Sequence, residues 1–207
     1  MYTHWSVYFP LMPRDGSLTR ARIIDAASRL FYAGGVREVG VDAVAAKAGI
    51  TKRTLYAHFR SKDDLVAAYL EGRDQPNLER LAAWYAAAAG GPSDKVRAIF
   101  AGLAQAARHP KWQGCGFLRT TAELASMPGH PAIRIGRAHK KRFEAWLGER
   151  LADAGIADPP ALARQVVLLL DGAFATMLLH RDPAYAEAAG EAAATLVRQA
   201  EKPCGGS

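Results

Sequence analysis

The sequence predicts an all-α protein in which a small helix-turn-helix unit precedes a larger helical domain. Three observations carry this expectation. Half of the 207 residues are hydrophobic, Ala and Leu dominate, and β-branched runs are few, a composition that favours helices over strands. Apolar residues recur at helical spacing in one segment after another, with Gly and Pro as punctuation. Residues 41–62 then compress a short helix, a glycine turn and a second short helix into one compact unit. That unit is the smallest that can push a helix into a major groove.

Taken in order, the first helix is expected at about Leu18–Ala33, with Ile23, Ala26, Ala27, Leu30 and Phe31 inward and Gly34-Gly35 as its stop. Val41, Val44, Ala45 and Ala48 fall at i, i+3, i+4 and i+7 on one face of a second helix. Gly49 supplies the left-handed residue that ends it, and Ile50 plugs the angle that follows. Thr51 caps a third helix whose Leu55 and Phe59 turn inward. Ser61 caps a fourth, and Asp63 and Asp64 complement the positive end of its dipole. Leu65, Tyr69, Leu81, Trp84 and Tyr85 line this long helix, which Gly72 and Pro76 are expected to bend or interrupt.

The run Gly90-Gly91-Pro92-Ser93-Asp94 breaks the chain before a fifth helix to about Arg108, carrying Val96, Ile99, Phe100 and Leu103. A loop over 109–116 leads to a short sixth helix, Phe117–Ser126, stopped by Met127-Pro128-Gly129. The seventh is expected from Pro131 to Ala154, with Phe143, Trp146, Leu147 and Leu151 on one side. Arg134, Arg137, Lys140, Lys141 and Arg142 crowd its first half and read as a solvated face. In the eighth, Leu162, Val166, Val167, Leu168, Leu169, Leu170, Ala173, Phe174, Met177 and Leu178 surround the helix, so cover is required on all sides. Asp182-Pro183 opens the ninth, where Ala186, Ala189, Ala193, Leu196, Val197 and Ala200 offer a small-residue surface.

The residues of the second to fourth helices carry a resemblance. Ile23, Ala26 and Phe31, then Val44-Ala45-x-x-Ala48-Gly49-Ile50-Thr51-x-x-Thr54-Leu55-Tyr56-x-His58-Phe59-x-Ser61-Lys62-x-x-Leu65, resemble the signature of the TetR family of bacterial repressors over roughly the first third of the chain. Gly40 departs from it, since such proteins more often place Ser or Thr there; Gly is a tolerable cap without the hydroxyl that could reach a phosphate. The resemblance implies a three-helix DNA-binding domain followed by a C-terminal ligand-binding and dimerisation domain. The expected division is a flexible segment at 1–13, the DNA-binding domain at 14–62, the ligand and dimer domain at 63–202 and a flexible tail at 203–207. It further implies a repressor released from a palindromic double-stranded operator by a small-molecule effector.

Charge supports a polyanionic partner. The net formal charge is +7, and ten Lys/Arg against four acids between Arg14 and Lys62 give that segment +6. The candidate DNA-binding residues are Thr51, Lys52, Arg53, Thr54, Tyr56, His58 and Lys62. For an effector the candidates are Trp84, Phe100, Leu103, Trp112, Phe117, Thr121, Glu123, Met127, His139, Phe143, Trp146, Phe174 and Met177. Aromatic and Met residues at helical spacing are more often plain core, so the set rests on the resemblance; Thr121, Glu123 and His139 are its polar anchors, and an inward Glu123 would favour a cationic ligand. A homodimer is expected through Leu162, Val166, Leu169, Leu170, Ala173, Ala189, Ala193 and Leu196, against the alternative that both last helices complete one monomeric core. The dimer is preferred because a helix-turn-helix reads a palindrome with two copies.

Other classes are weighed against this. The two cysteines, Cys115 and Cys204, and six histidines form no metal spacing, triad or phosphate loop, so neither a metal, a cofactor nor an enzyme is expected. Gly114-Cys115-Gly116 before a helix could activate the thiol, which leaves a ligand-binding or redox-sensing protein, with its helix-turn-helix serving protein contacts, as the alternative. The basic N-terminal segment argues against that. The apolar run near 166–170 is too short to cross a bilayer. Met1–Pro13 has neither a basic start nor a small-residue cleavage site, so no signal peptide is expected, and Met12 offers a second start. The expected location is the cytoplasm.

Overall fold

The computed structural model describes residues 16–201, which form nine α-helices with no strand among the described residues. In chain order they are α1 (Gly16–Gly34), α2 (Val41–Ala48), α3 (Lys52–His58), α4 (Lys62–Ala87), α5 (Pro92–Ala107), α6 (Gly116–Glu123), α7 (Pro131–Asp153), α8 (Pro159–His180) and α9 (Ala184–Glu201). The all-α expectation holds. The terminal segments 1–13 and 203–207, and Met12, lie outside the described residues.

Local chemistry accounts for most boundaries. Gly35 takes φ +85° and its N–H closes on Phe31 O at 2.9 Å, ending α1. At the end of α2, Gly49 is left-handed at φ 64°. Its N–H donates to Ala46 O and that of Ile50 to Ala45 O, at 3.1 and 3.0 Å, the paired closure of a Schellman motif. Thr51 and Ser61 cap α3 and α4 through Thr54 N and Asp64 N, at 3.1 and 3.0 Å. Two boundaries differ from expectation. Helix α6 stops at Glu123, three residues early, where successive turns carry the chain to Pro128-Gly129. Helix α4 runs unbroken through Gly72 and Pro76. The carbonyl that a ring at 76 presses upon is that of residue 72, and a residue without a side chain there yields most easily.

The described residues bury two apolar cores. One packs Ile23, Phe31, Val44, Leu55 and Phe59 of α1–α3 and their flanks against Leu65, Val66, Tyr69 and Leu70 of α4 and against Phe117, Leu124 and Ile135. The other joins Leu81 and Tyr85 of α4 to α5, α7, α8 and α9 through Ile99, Phe100, Leu103, Phe143, Leu147, Val166 and Val197. Packing therefore continues across position 62 without a gap.

Helix α8 is not apolar on every side of an otherwise empty groove. Leu162, Val166, Leu170 and Ala173, together with Ala193 of α9, are buried in this chain's own core, so these five expected interface positions are corrected to core. Leu168 and Leu179, 66% and 80% exposed, remain on the outer stripe. Among the described residues α8 is the one helix long and apolar enough to cross a membrane, at mean hydropathy 1.6, yet it packs between α7 and α9.

The tightest junction is α5 on α9. A Cβ at Gly190 would stand 2.7 Å from Phe100 Cβ. Gly190→Ala is expected to lower stability by about 1–3 kcal/mol through overpacking, despite the better helix propensity of Ala. Urea unfolding checks this; an unchanged midpoint would mean that α5 and α9 separate freely.

Candidate functional site

The first candidate surface is α3. Leu55 and Phe59 anchor it inward, so Lys52, Arg53 and Tyr56 stand exposed while Thr54 and His58 are half-buried. Its orientation is held from three sides. Arg22 Nη2 donates to Ala48 O at 2.6 Å, fixing the end of α2 to α1. Lys52 Nζ pairs with Asp42 at 3.0 Å. Thr51 Oγ1 lies 2.9 Å from Thr54 Oγ1, so both hydroxyls share the edge where α3 begins. Lys62 Nζ donates to Arg37 O at 3.0 Å and ties α4 to the α1–α2 turn. As expected, Gly40 caps α2 without a side-chain bond.

The second is a cavity of about 360 Å³ enclosed by α4, α5, α7, α8 and the α5–α6 loop. Its apolar walls are Leu81, Trp84, Leu103, Trp112, Phe143, Leu170 and Phe174, with Trp112 and Phe174 stacked 9° from parallel. The Trp84 ring lies flush on α5 because residue 102 is glycine; a Cβ there would meet the ring at 2.3 Å. The polar lining is Tyr32, Arg73, Asn77, Arg80, His109, Lys111, His139 and Lys140. His139 donates from Nδ1 to Asp74 at 2.7 Å, and its ring stacks on Phe117 at 3.7 Å. Burial pushes its pKa below the usual histidine range, with the Asp74 hydrogen bond acting the other way. Burial, and secondarily Arg73, lowers that of Arg80, and burial pushes the Tyr69 phenol up to about 12.

Six of the expected effector residues line this cavity: Trp84, Leu103, Trp112, His139, Phe143 and Phe174. The others do not. Phe100, Phe117 and Met177 are sealed in the cores, and Met127 is exposed. Trp146 packs edge-on against Tyr85, and Thr121 Oγ1 stands beside Gly136. Glu123 is corrected most fully. Its carboxylate accepts from Val36 N and Arg37 N at 2.7 and 3.0 Å, against Gly35. It is no ligand anchor but a cap on the α1–α2 turn. Sequence reasoning missed Tyr32, Arg73, Asn77 and Arg80. The signal was there, since residues 73, 77, 80, 81 and 84 share one face of a helix.

Tyr32 makes the cavity continuous with the helix-turn-helix. This α1 residue donates to Gly114 O at 3.2 Å and accepts from Gln113 N at 2.9 Å. Arg119 Nη1 on α6 donates to Tyr32 O at 2.7 Å. One side chain thus belongs to the packing of α1 and to the wall of the cavity.

The model of bacterial regulatory proteins of the tetR family matches residues 23–69. SCO4454, a TetR-family transcriptional regulator from Streptomyces coelicolor, superposes with TM-score 0.78 at 35% identity, over 90% of this chain and 97% of that one. The chain belongs to the TetR family of transcriptional regulators. A putative TetR regulator from Streptomyces avermitilis is similar at 32% identity and TM-score 0.73, over 89% and 99% of the two chains. Among curated relatives, the transcriptional regulator SrpR of Pseudomonas putida is 45% identical over 58 residues, 28% of this chain and 27% of SrpR. The match spans between a quarter and a half of the length of the first such curated relatives.

Two outcomes are expected of these residues. Arg53→Ala should cost about 1–3 kcal/mol on a selected DNA sequence and relax preference at one base pair; equal losses on selected and random DNA would remove its base-reading role. His139 resists protonation in the fold, whereas in the unfolded chain it titrates near 6.5. Stability should therefore fall as pH drops below that value, because the unfolded state takes up the proton first. His139→Gln should lose less stability than the parent between pH 7.5 and 5.5 in chemical denaturation.

Proposed function

We propose that this TetR-family protein is a homodimeric repressor that leaves a palindromic operator when a small molecule fills the α4–α8 cavity. The observation that carries the reading is Tyr32, through which the cavity wall reaches α1. Thr51, Lys52, Arg53 and Thr54 at the start of α3 contact base edges, while Tyr56, His58 and Lys62 meet phosphates. Ligand pressure reaches α3 by two routes. Helix α4 runs from the cavity at Trp84 to Ser61 beside α3. The α5–α6 loop and α6 hold Tyr32, Val36 and Arg37 through Gln113, Arg119 and Glu123.

The dimer face is assigned to the outer stripes of α8 and α9. Leu168, Gly172, Ala175 and Leu179 form one, and Ala188 and Ala192 continue it on α9, all exposed; Leu169, Ala189 and Leu196, half-buried, flank it. Small residues there let helices of two copies approach closely, and the leucines supply apolar area. Leu168→Glu should give monomers in sedimentation while leaving the chain folded, since the site is solvent-exposed in one copy. Wild-type monomers at micromolar concentration that still bind a palindrome tightly would reject the assignment. Half-sites should lie about one helical turn apart, roughly 34 Å, or a multiple.

Binding of effector and DNA should oppose one another, with a coupling of about 1–3 kcal/mol. The test selects DNA from a random pool, finds cavity ligands by thermal shift, and titrates DNA with each ligand at saturation. A ligand that quenches Trp84, isolated by replacing the other tryptophans, yet leaves DNA affinity unchanged would overturn release by the effector.

A further inference from the structure

The charge of the cavity is one-sided. Arg73, Arg80, Lys111 and Lys140 line it, and among the described residues no Asp or Glu does. Lys140 is neutralised from outside the lining by Asp171, and Asp74 is engaged by His139 and Arg142. Arg73 and Arg80 have no carboxylate partner among the described residues. Arg80 binds the neutral Asn77 side chain and stacks 5.6 Å from the Trp84 ring. Arg73 lies 4.8 Å over Tyr32, and among the described residues its Nε, like that of Arg150 outside the cavity, is buried without a hydrogen-bond partner. A buried guanidinium nitrogen without an acceptor is costly, and native proteins rarely leave one so unless something else supplies the acceptor.

The loop side of the same end reinforces this. Gly116 begins α6, and a Cβ there would sit 2.8 Å from Tyr69 Oη and 3.6 Å from Arg73 Nε. Its N-cap, Cys115, makes no side-chain bond to the helix amides. The start of α6 and the Arg73 guanidinium therefore line the same cavity close to one another, and both favour an anion there. Trp112, Phe143 and Phe174 give the same cavity an apolar wall, with Lys140, paired to Asp171, 5.6 Å over the Phe174 ring.

We infer that the cavity takes a small amphipathic acid, a carboxylate on a flat apolar body, with its carboxylate on Arg73 and Arg80 and its body against Trp84, Trp112 and Phe174. Guanidinium forks match a planar carboxylate in geometry as well as charge. A volume of about 360 Å³ has room for a fused-ring acid. The ligand meets Arg73 at the outer edge of the guanidinium that lies over the Tyr32 ring, which puts the anion one side chain away from α1. This rests on reading the cavity as an effector site and adds the sign of the effector's charge, opposite to the cationic ligand that an inward Glu123 would have favoured.

The experiment compares isosteres: naphthalene-2-carboxylate, naphthalene-2-carboxamide and 2-naphthylmethylamine, with octanoate and octanamide as a flexible pair, by calorimetry on the full chain. The acids should bind about tenfold or more tighter than their amides, as charge-assisted bonds exceed neutral ones. Arg80→Gln and Arg73→Gln should bring each acid down to its amide's affinity and leave the amide unchanged. Arg80 is the more exposed, so its variant decides should Arg73→Gln fail to fold. Amides or amine binding as tightly as the acids, acids indifferent to Arg80→Gln, or no acid saturating at millimolar concentration would each overturn the inference. DNA titration separates the two readings. An acid that binds through Arg80 but leaves DNA affinity unchanged removes the effector role and keeps the charge preference; a neutral or cationic analogue that binds and releases DNA does the reverse.

Discussion

Helix α4 belongs to both cores, and most of the molecule is arranged around that constraint. Leu65, Val66, Tyr69 and Leu70 are buried with α1–α3, while Leu81 and Tyr85 are buried with α5 and α7–α9. The helix that joins them is continuous for 26 residues, about 39 Å at helical rise. A rod clamped at both ends cannot move at one of them alone. The place where it can give is the turn from Gly72 to Pro76, which lacks one ladder bond. Arg73 and Asn77, which face the cavity, lie in or beside that turn.

A second joint runs in parallel, and it is polar. Glu123 accepts two backbone amides of the α1–α2 turn, and Arg119 and Gln113 grip Tyr32. Hydrogen bonds of this sort are directional and few, so they hold α1 in one place against α6 and are lost together when either side shifts. The apolar contacts around Phe117 and Leu124 tolerate small displacement far better. The two joints differ in kind: one transmits stiffness, the other position.

The helix-turn-helix was legible to the residue because its chemistry is local. Gly49, Thr51 and Ser61 do what their types dictate within four positions of themselves. The cavity was legible only in part, because it is made by tertiary contact. Its aromatic half could be named from type and helical spacing, as Trp84, Trp112, Phe143 and Phe174 were. Its cationic half shares a helix face with Leu81 and Trp84, a weaker signal, since an arginine on a long helix is ordinarily solvated. Glu123 went wrong for the same reason: its partners, Val36 and Arg37, are more than eighty residues away. Composition called for cover on all sides of α8, yet the chain itself buries Leu162 and Leu170 and leaves Leu168 and Leu179 exposed, and which leucine lies inward depends on the rotation of the helix, not on its composition.

Gly102 has a bearing on how this architecture diversifies. It touches no ligand space itself, yet the missing side chain lets the Trp84 indole lie against α5. Any larger residue at 102 must displace that indole, and the side of Trp84 away from α5 lies along the cavity. Chamber size is thus dialled from behind the wall. A lineage could narrow or widen its chemical repertoire by drift at one concealed position, keeping the guanidinium corner and the recognition helix untouched.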